Sequence, residues 1–209
     1  MSKENQKIIV VERDLLFGDN YFQGFRPYCE VDYESRILQN LKIMRRGDAE
    51  HNPLYKQPIG YTLIIDPNLK GVFAYQRSSK IKEYGEKRLQ GKWSWGIGGH
   101  IEPIDNISKN PIRESILREV IKEEVEIIGT ILEEPRVLGY INDDSNSVGS
   151  VHFGVLYTLE INGDVKPKDP EIARGSLRTL NHLEFICNSS LYDVEEWSKI
   201  ALKPLRKLL

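Results

Sequence analysis

The stretch Trp93–Ile127, WSWGIGGHIEPIDNISKNPIRESILREVIKEEVEI, passes from a strand-like alternation (Trp93, Trp95, Ile97) through Gly98-Gly99 into a polar loop, and then into a helix. Asn110 offers an N-cap side chain, and Pro111 suits the first helical position, where its missing N–H costs nothing. Ile112, Ile116 and Val120 recur at near-helical spacing and form the buried stripe. Acid concentrates on this helix, at Glu119, Glu123, Glu124 and Glu126. At about 100° per residue, Glu119 and Glu123 lie about 40° apart on one face and repel unless a cation sits between them. Mg²⁺ suits that place, because it prefers carboxylate oxygen, keeps several waters and takes its other ligands from substrate phosphates. A solvated acidic helix face is the plainer alternative.

Written out, Gly99 … Glu102 … Asp105 … Arg118-Glu119-Val120-Ile121-Lys122-Glu123 resembles the signature of the Nudix hydrolases, G-x5-E-x7-R-E-U-x-E-E-x-G-U with U a bulky aliphatic. The resemblance implies a loop–helix–loop that binds Mg²⁺ or Mn²⁺ and cleaves a diphosphate linkage in a nucleoside diphosphate derivative. It also implies the Nudix fold, an α/β/α sandwich with a mixed β-sheet. The sequence departs from the signature at several points. Asp105 stands where a glutamate is expected, and from Gly99 to Arg118 is nineteen positions, with extra residues around Asn106 to Asn110. Lys122 replaces the first glutamate of the usual pair and leaves Glu123 as the second. Taking Glu123-Glu124 as the pair would put Val120 where the leading glutamate belongs.

Carried onto this chain, the resemblance implies that Glu119 and Glu123 hold metal and serve catalysis, with Glu102 a rival general base. Glu171 is the choice for a further metal carboxylate from the loop before the last strand. Arg77 is implied near the substrate phosphates. Gly99 and His100 stand where a backbone turn can approach substrate. Lys122 can pair with Glu119 or reach a phosphate. Plainer readings stand beside these: surface charge for Arg77, Lys80, Lys82 and Arg88, and a structural role for His152. The same fold in a regulatory role, holding a nucleotide-like ligand without cleaving it, is the alternative function.

Outward from the motif, Gly60–Asp66 and Gly71–Arg77 predict a hairpin around the Pro67-Asn68 turn. The first 55 residues read as an N-terminal strand–helix extension packed on a Nudix-like domain at 56–209. The extension holds a strand at 8–12, then a helix from an Asp32 N-cap to near Arg46 with Gly47 as C-cap. It is available to cover the substrate site or to form a homodimer contact. Strands are predicted at 130–141 and 150–161 around a mobile loop at 142–149, whose Asp143 and Asp144 are expected to serve the turn. Helices are predicted at 181–186 and 193–202, with Pro204 bending or ending the second. This element order predicts an α+β or α/β/α layered domain.

A hydrophobic content of 40% with 29% charged residues marks an ordinary globular protein. The net charge of −2 argues against an extended nucleic-acid surface. No apolar run is long enough to span a membrane, and the charges in KIIVVERD interrupt any signal peptide. Cys29 and Cys187 are isolated, which predicts reduced thiols and a cytoplasmic protein, and the resemblance implies a small-molecule diphosphate substrate.

Overall fold

A computed structural model describes residues 3–80, 87–106 and 109–209. Lys82 and part of the lengthened motif loop, at 107–108, lie outside the described residues. The strands are β1 (Lys7–Glu12), β2 (Gly24–Pro27), β3 (Lys42–Arg45), β4 (Tyr55–Asp66), β5 (Gly71–Arg77), β6 (Trp93–Ser94), β7 (Val125–Ile131), β8 (Arg136–Asn142), β9 (His152–Pro167) and β10 (Ile172–Thr179). The helices are α1 (Arg13–Phe17), α2 (Tyr33–Gln39), α3 (Arg46–Ala49), α4 (Pro111–Ile116), α5 (Leu180–Asn188) and α6 (Glu196–Leu208). A π-helical segment, Leu117–Glu124, continues α4 and runs straight into β7. The fold is α+β with a mixed sheet, as expected: β1–β3, β2–β8, β5–β10 and β7–β9 are antiparallel pairs, and Trp93 bridges Val194 in parallel.

The chain divides into two compact units. The first comprises Met1–Tyr61, Gly98–Leu117 and Val137–Leu156. There β1 pairs with β3 and with the start of β4, and β2 pairs with β8. An aromatic cluster of Phe17, Phe22, Tyr33, Tyr140 and Phe153 fills its interior, in edge-to-face, tilted and stacked contacts. The second unit comprises Thr62–Ile97, Arg118–Arg136 and Tyr157–Leu209. There β5 lies between β4 and β10 and also pairs with β6, while β7 pairs with β9.

The β4–β5 hairpin forms as predicted, its turn held by the Asp66 carboxylate accepting from the backbone N–H groups of Asn68 and Leu69. Asn110 caps the motif helix through the Arg113 N–H, and Ile112, Ile116 and Val120 are buried.

Other expectations are corrected. The helix from Asp32 ends at Gln39 rather than near Arg46, because the Asn40 side chain and N–H bond back to the carbonyls of Arg36 and Ile37. Lys42–Arg45 then extends as β3 along β1, where β-branched Ile43 is better suited than in a helix. The strand expected at 130–141 is split by Glu133-Glu134-Pro135. The loop at 142–149 is tied down rather than mobile. Asp143 accepts from Gln23 and Asn146, and Asp144 accepts from Arg13, Tyr21 and Lys56. The last helix starts at Glu196, since Asp193 and Glu195 exchange backbone hydrogen bonds with Trp93. It also passes through Pro204, where burial of Pro204 and Leu205 outweighs one lost hydrogen bond near the C-terminus.

Candidate functional site

The acidic segment of the second unit is not a plain α-helix. In an α-helix, residues five apart diverge by about 140°, and Glu124 would face away from Glu119. The i→i+5 bonding of a π-helix widens each turn and carries Glu124 back toward the Glu119 face. A widened turn leaves backbone groups needing partners, and this one has them. The Lys168 ammonium donates to the Lys122 carbonyl at 2.7 Å, and the N–H groups of Lys168 and Asp169 donate to the Glu124 carbonyl at 2.9 and 3.2 Å.

The electrostatics record the convergence. Burial is the main force pushing the Glu124 carboxyl up, to about 7. The charges of Asp169, Glu119 and Glu171 add to the rise, and the Arg77 guanidinium opposes it. Arg77 is itself committed to the buried Glu195 carboxylate. Arg118 donates to Glu119 at 2.6 Å, while Glu123 is half exposed, its carboxylate 3.7 Å from the same guanidinium. Lys122 is exposed. Glu171 is tethered through its N–H to the Asp169 carboxylate at 2.5 Å, and its carbonyl accepts from Ser78 at 2.7 Å. The charges of three residues singled out in the sequence, Glu119, Glu171 and Arg77, thus act on Glu124. Glu124 and Asp169 are the additions. A mismatch in the motif register was the available signal for Glu124, and no motif marks Asp169.

In the first unit, Gly98 makes a close approach to the protein's own backbone: a Cβ on it would lie 2.3 Å from the Gly60 carbonyl oxygen. Glu102 and Asp105 cap each other about the turn Pro103–Asp105, Asp105 accepting the Glu102 N–H at 2.8 Å. His100 Nε2 lies 2.8 Å from Gln57 Oε1 and 3.2 Å from His152 Nε2. Burial, then His152, Arg46 and Lys3, hold the His100 imidazole well below its ordinary range.

Oxygen donors, excess negative charge and restricted water are the features a hard cation would require. A site with them can serve phosphate chemistry, since a cation held there neutralises phosphate charge.

No protein-family profile matches the sequence. Protein YmaB of Bacillus subtilis (strain 168) is 33% identical over 213 residues, covering 97% of this chain and 98% of that protein. Among solved structures, Tm1382, a candidate Nudix hydrolase, superposes with a TM-score of 0.78 at 26% identity, over 98% of this chain and all of that one. A Nudix hydrolase from Alicyclobacillus acidocaldarius reaches a TM-score of 0.54 at 13% identity, over 72% of this chain and 90% of that one. The Nudix domain of Shewanella oneidensis NrtR, complexed with ADP-ribose, reaches 0.53 at 13% identity, over 73% of this chain and 88% of that one. At that identity the last two attest the fold alone.

Proposed function

Since the chain belongs to the Nudix hydrolase family, we propose that it hydrolyses a diphosphate linkage in a small nucleoside diphosphate derivative, with Mg²⁺ or Mn²⁺ held by Glu119, Glu124 and Glu171. The observation that carries this is the π-helical segment Leu117–Glu124, whose widened turn brings Glu124 toward the Glu119 face, where the charges of Asp169, Glu119 and Glu171 add to burial in raising its carboxyl to about 7. Carboxylates crowded in this way repel, and a divalent cation turns that repulsion into binding.

The π-helical turn supports a revised register. With Lys122 counted as one inserted residue, Arg118-Glu119-Val120-Ile121 is followed by Glu123-Glu124, and the family pattern R-E-U-x-E-E is complete. Glu126 then falls at the glycine position and Ile127 at the last aliphatic one. Lys122 thereby ceases to be a glutamate replaced by a lysine, which favours a hydrolase over a ligand-binding regulator.

Divalent metal at these carboxylates supplies Lewis-acid polarisation of phosphoryl oxygens and a more acidic attacking water. The protein's own groups do the rest. Arg118 orients Glu119 through their hydrogen bond. Glu119 accepts the proton of the attacking water in this reading. Arg77, adjoining the acidic group, adds positive charge near the substrate phosphates. Glu123, half exposed, is a further metal contact.

The NrtR domain carries ADP-ribose, so ADP-ribose belongs in the test panel beside nucleoside triphosphates, nucleotide sugars and dinucleoside polyphosphates. Metal-dependent release of phosphate or nucleotide, abolished by EDTA and by Glu124→Gln, is the expected result. Thermal stabilisation by one compound without turnover would sink the hydrolase reading and favour a ligand-binding regulator.

A further inference from the structure

We propose that Glu50, His100 and His152 form a second metal site in this protein, a three-ligand centre for Zn²⁺ or a similar borderline divalent ion. The three come from separate parts of the first unit. Glu50 closes α3, His100 follows the double glycine and bridges Ile59, and His152 opens β9. One ligand atom from each lies within 4.8 Å of the others.

The imidazole pair is already spaced for a shared ion. The two Nε2 atoms are 3.2 Å apart. Two nitrogens bound to one tetrahedral Zn²⁺ at about 2.0–2.1 Å stand about 3.3 Å apart. The Glu50 carboxylate lies 3.9 Å from His100 Nε2, and a small side-chain movement brings it into the same coordination sphere. His152 is already in the tautomer that binds metal. Its Nδ1 is 2.7 Å from the Val148 carbonyl, which can only accept, so Nδ1 carries the proton and Nε2 presents its lone pair.

Gln57 supplies a buried donor beside the pair. It is fully buried, its Oε1 accepts from His100 Nε2 at 2.8 Å in the metal-free protein, so that zinc binding moves the His100 proton to Nδ1, and its amide nitrogen has no hydrogen-bond partner. A water completing the coordination sphere would accept from that nitrogen. Glu50 also accepts from Arg46 at 3.3 Å, and this cation holds the carboxylate in place as an outer partner. Two imidazoles and one carboxylate select zinc-class ions over Mg²⁺, so this centre differs in kind from the all-carboxylate group of the second unit.

The test is metal binding, read without enzyme turnover. Chelator-treated full-length protein is titrated with Zn²⁺ by calorimetry in excess Mg²⁺, and with Co²⁺ by visible absorption. Wild type and Glu124→Gln should each take up about one zinc with equal affinity and give the intense bands of tetrahedral Co²⁺. His100→Gln and His152→Gln should weaken zinc by roughly a hundredfold and abolish the bands. Should either histidine variant fail to fold, Glu50→Gln, at a helix terminus, should still weaken zinc about tenfold with an unchanged metal-free Tm. Absence of zinc binding in excess Mg²⁺, or loss of the bound zinc in Glu124→Gln but not in the histidine variants, would overturn the proposal and leave the pair as a hydrogen-bonded contact.

Discussion

Glu119 lies close enough to Glu124, five residues further on, for its charge to help push the Glu124 carboxyl up to about 7. That proximity needs the π-helical turn between them. It predicts an order of sensitivity among the glutamates: Glu124→Gln should lower kcat/KM for the identified substrate at least about a hundredfold, while half-exposed Glu123→Gln should cost about tenfold or less. Steady-state kinetics at saturating Mg²⁺ decide this, and the reverse order would return the site to Glu119 and Glu123.

The buried Lys56 ammonium gives a prediction about stability. It lies 2.6 Å from Asp144 and also donates to the carbonyls of Gly149 and His152. Burial lowers the Lys56 pKa to about 8 even with Asp144 beside it. Burial also pushes Asp144 up, but hydrogen bonds from Arg13, Lys56 and Tyr21 prevail and hold it at about 2. A carboxylate whose folded pKa is depressed contributes stability above its unfolded pKa, near 3.8, and loses it as pH falls toward 2. The difference corresponds to about 2 kcal/mol at neutral pH. Asp144→Asn should therefore destabilise the protein by about 3 kcal/mol at pH 7, since it also strands a buried cation, and should flatten the acid limb of the stability curve between about pH 4 and pH 2. Adding Lys56→Met should recover much of the loss. Urea melts across pH measure all three, and an additive double mutant would contradict the coupling.

The parts of this fold legible in the sequence are those where local chemistry and final environment agree. Asp66 and the following turn, Asn110-Pro111 at the helix start, and the stripe of Ile112, Ile116 and Val120 depend on neighbours within a few residues. Lys42–Arg45 was not legible, because Leu41 and Met44 continue a helical spacing and only the distant β1 makes a strand preferable. Glu124 was hidden for a related reason. A periodic template of about 100° per residue has no place for an inserted residue, and the lysine that stabilises the insertion is Lys168, forty-six positions away. Glu50, His100 and His152 carry no motif spacing at all; chain topology alone brings them together.

Gly98 is required by packing. A methyl group at this position would sit 2.3 Å from the Gly60 carbonyl oxygen, a backbone atom that cannot swing aside as a side chain can. Gly98→Ala should lower stability by about 2 kcal/mol or more and shift the Tm downward by several degrees. Calorimetry on the metal-free protein checks this, and an unchanged Tm would mean that the Gly98 and Gly60 backbones separate at little cost.

Lys122 yields the sharpest test of the register. If it is an inserted residue, its side chain is dispensable and its backbone is tolerated because Lys168 donates to its carbonyl at 2.7 Å. Deleting Lys122 leaves Arg-Glu-Val-Ile-Glu-Glu, which fits a regular α-helix with the glutamates returned to one face. The deletion variant should fold and keep kcat/KM within about tenfold of wild type. Lys168→Met should destabilise wild type by about 1–2 kcal/mol, because the widened turn loses a charged donor, and should leave the deletion variant nearly unaffected. That non-additivity, measured by denaturant melts of the four proteins, ties Lys168 to the insertion. A deletion variant as inactive as Glu124→Gln would mean that the wide turn itself, rather than the glutamate pattern it preserves, sets the geometry of the site.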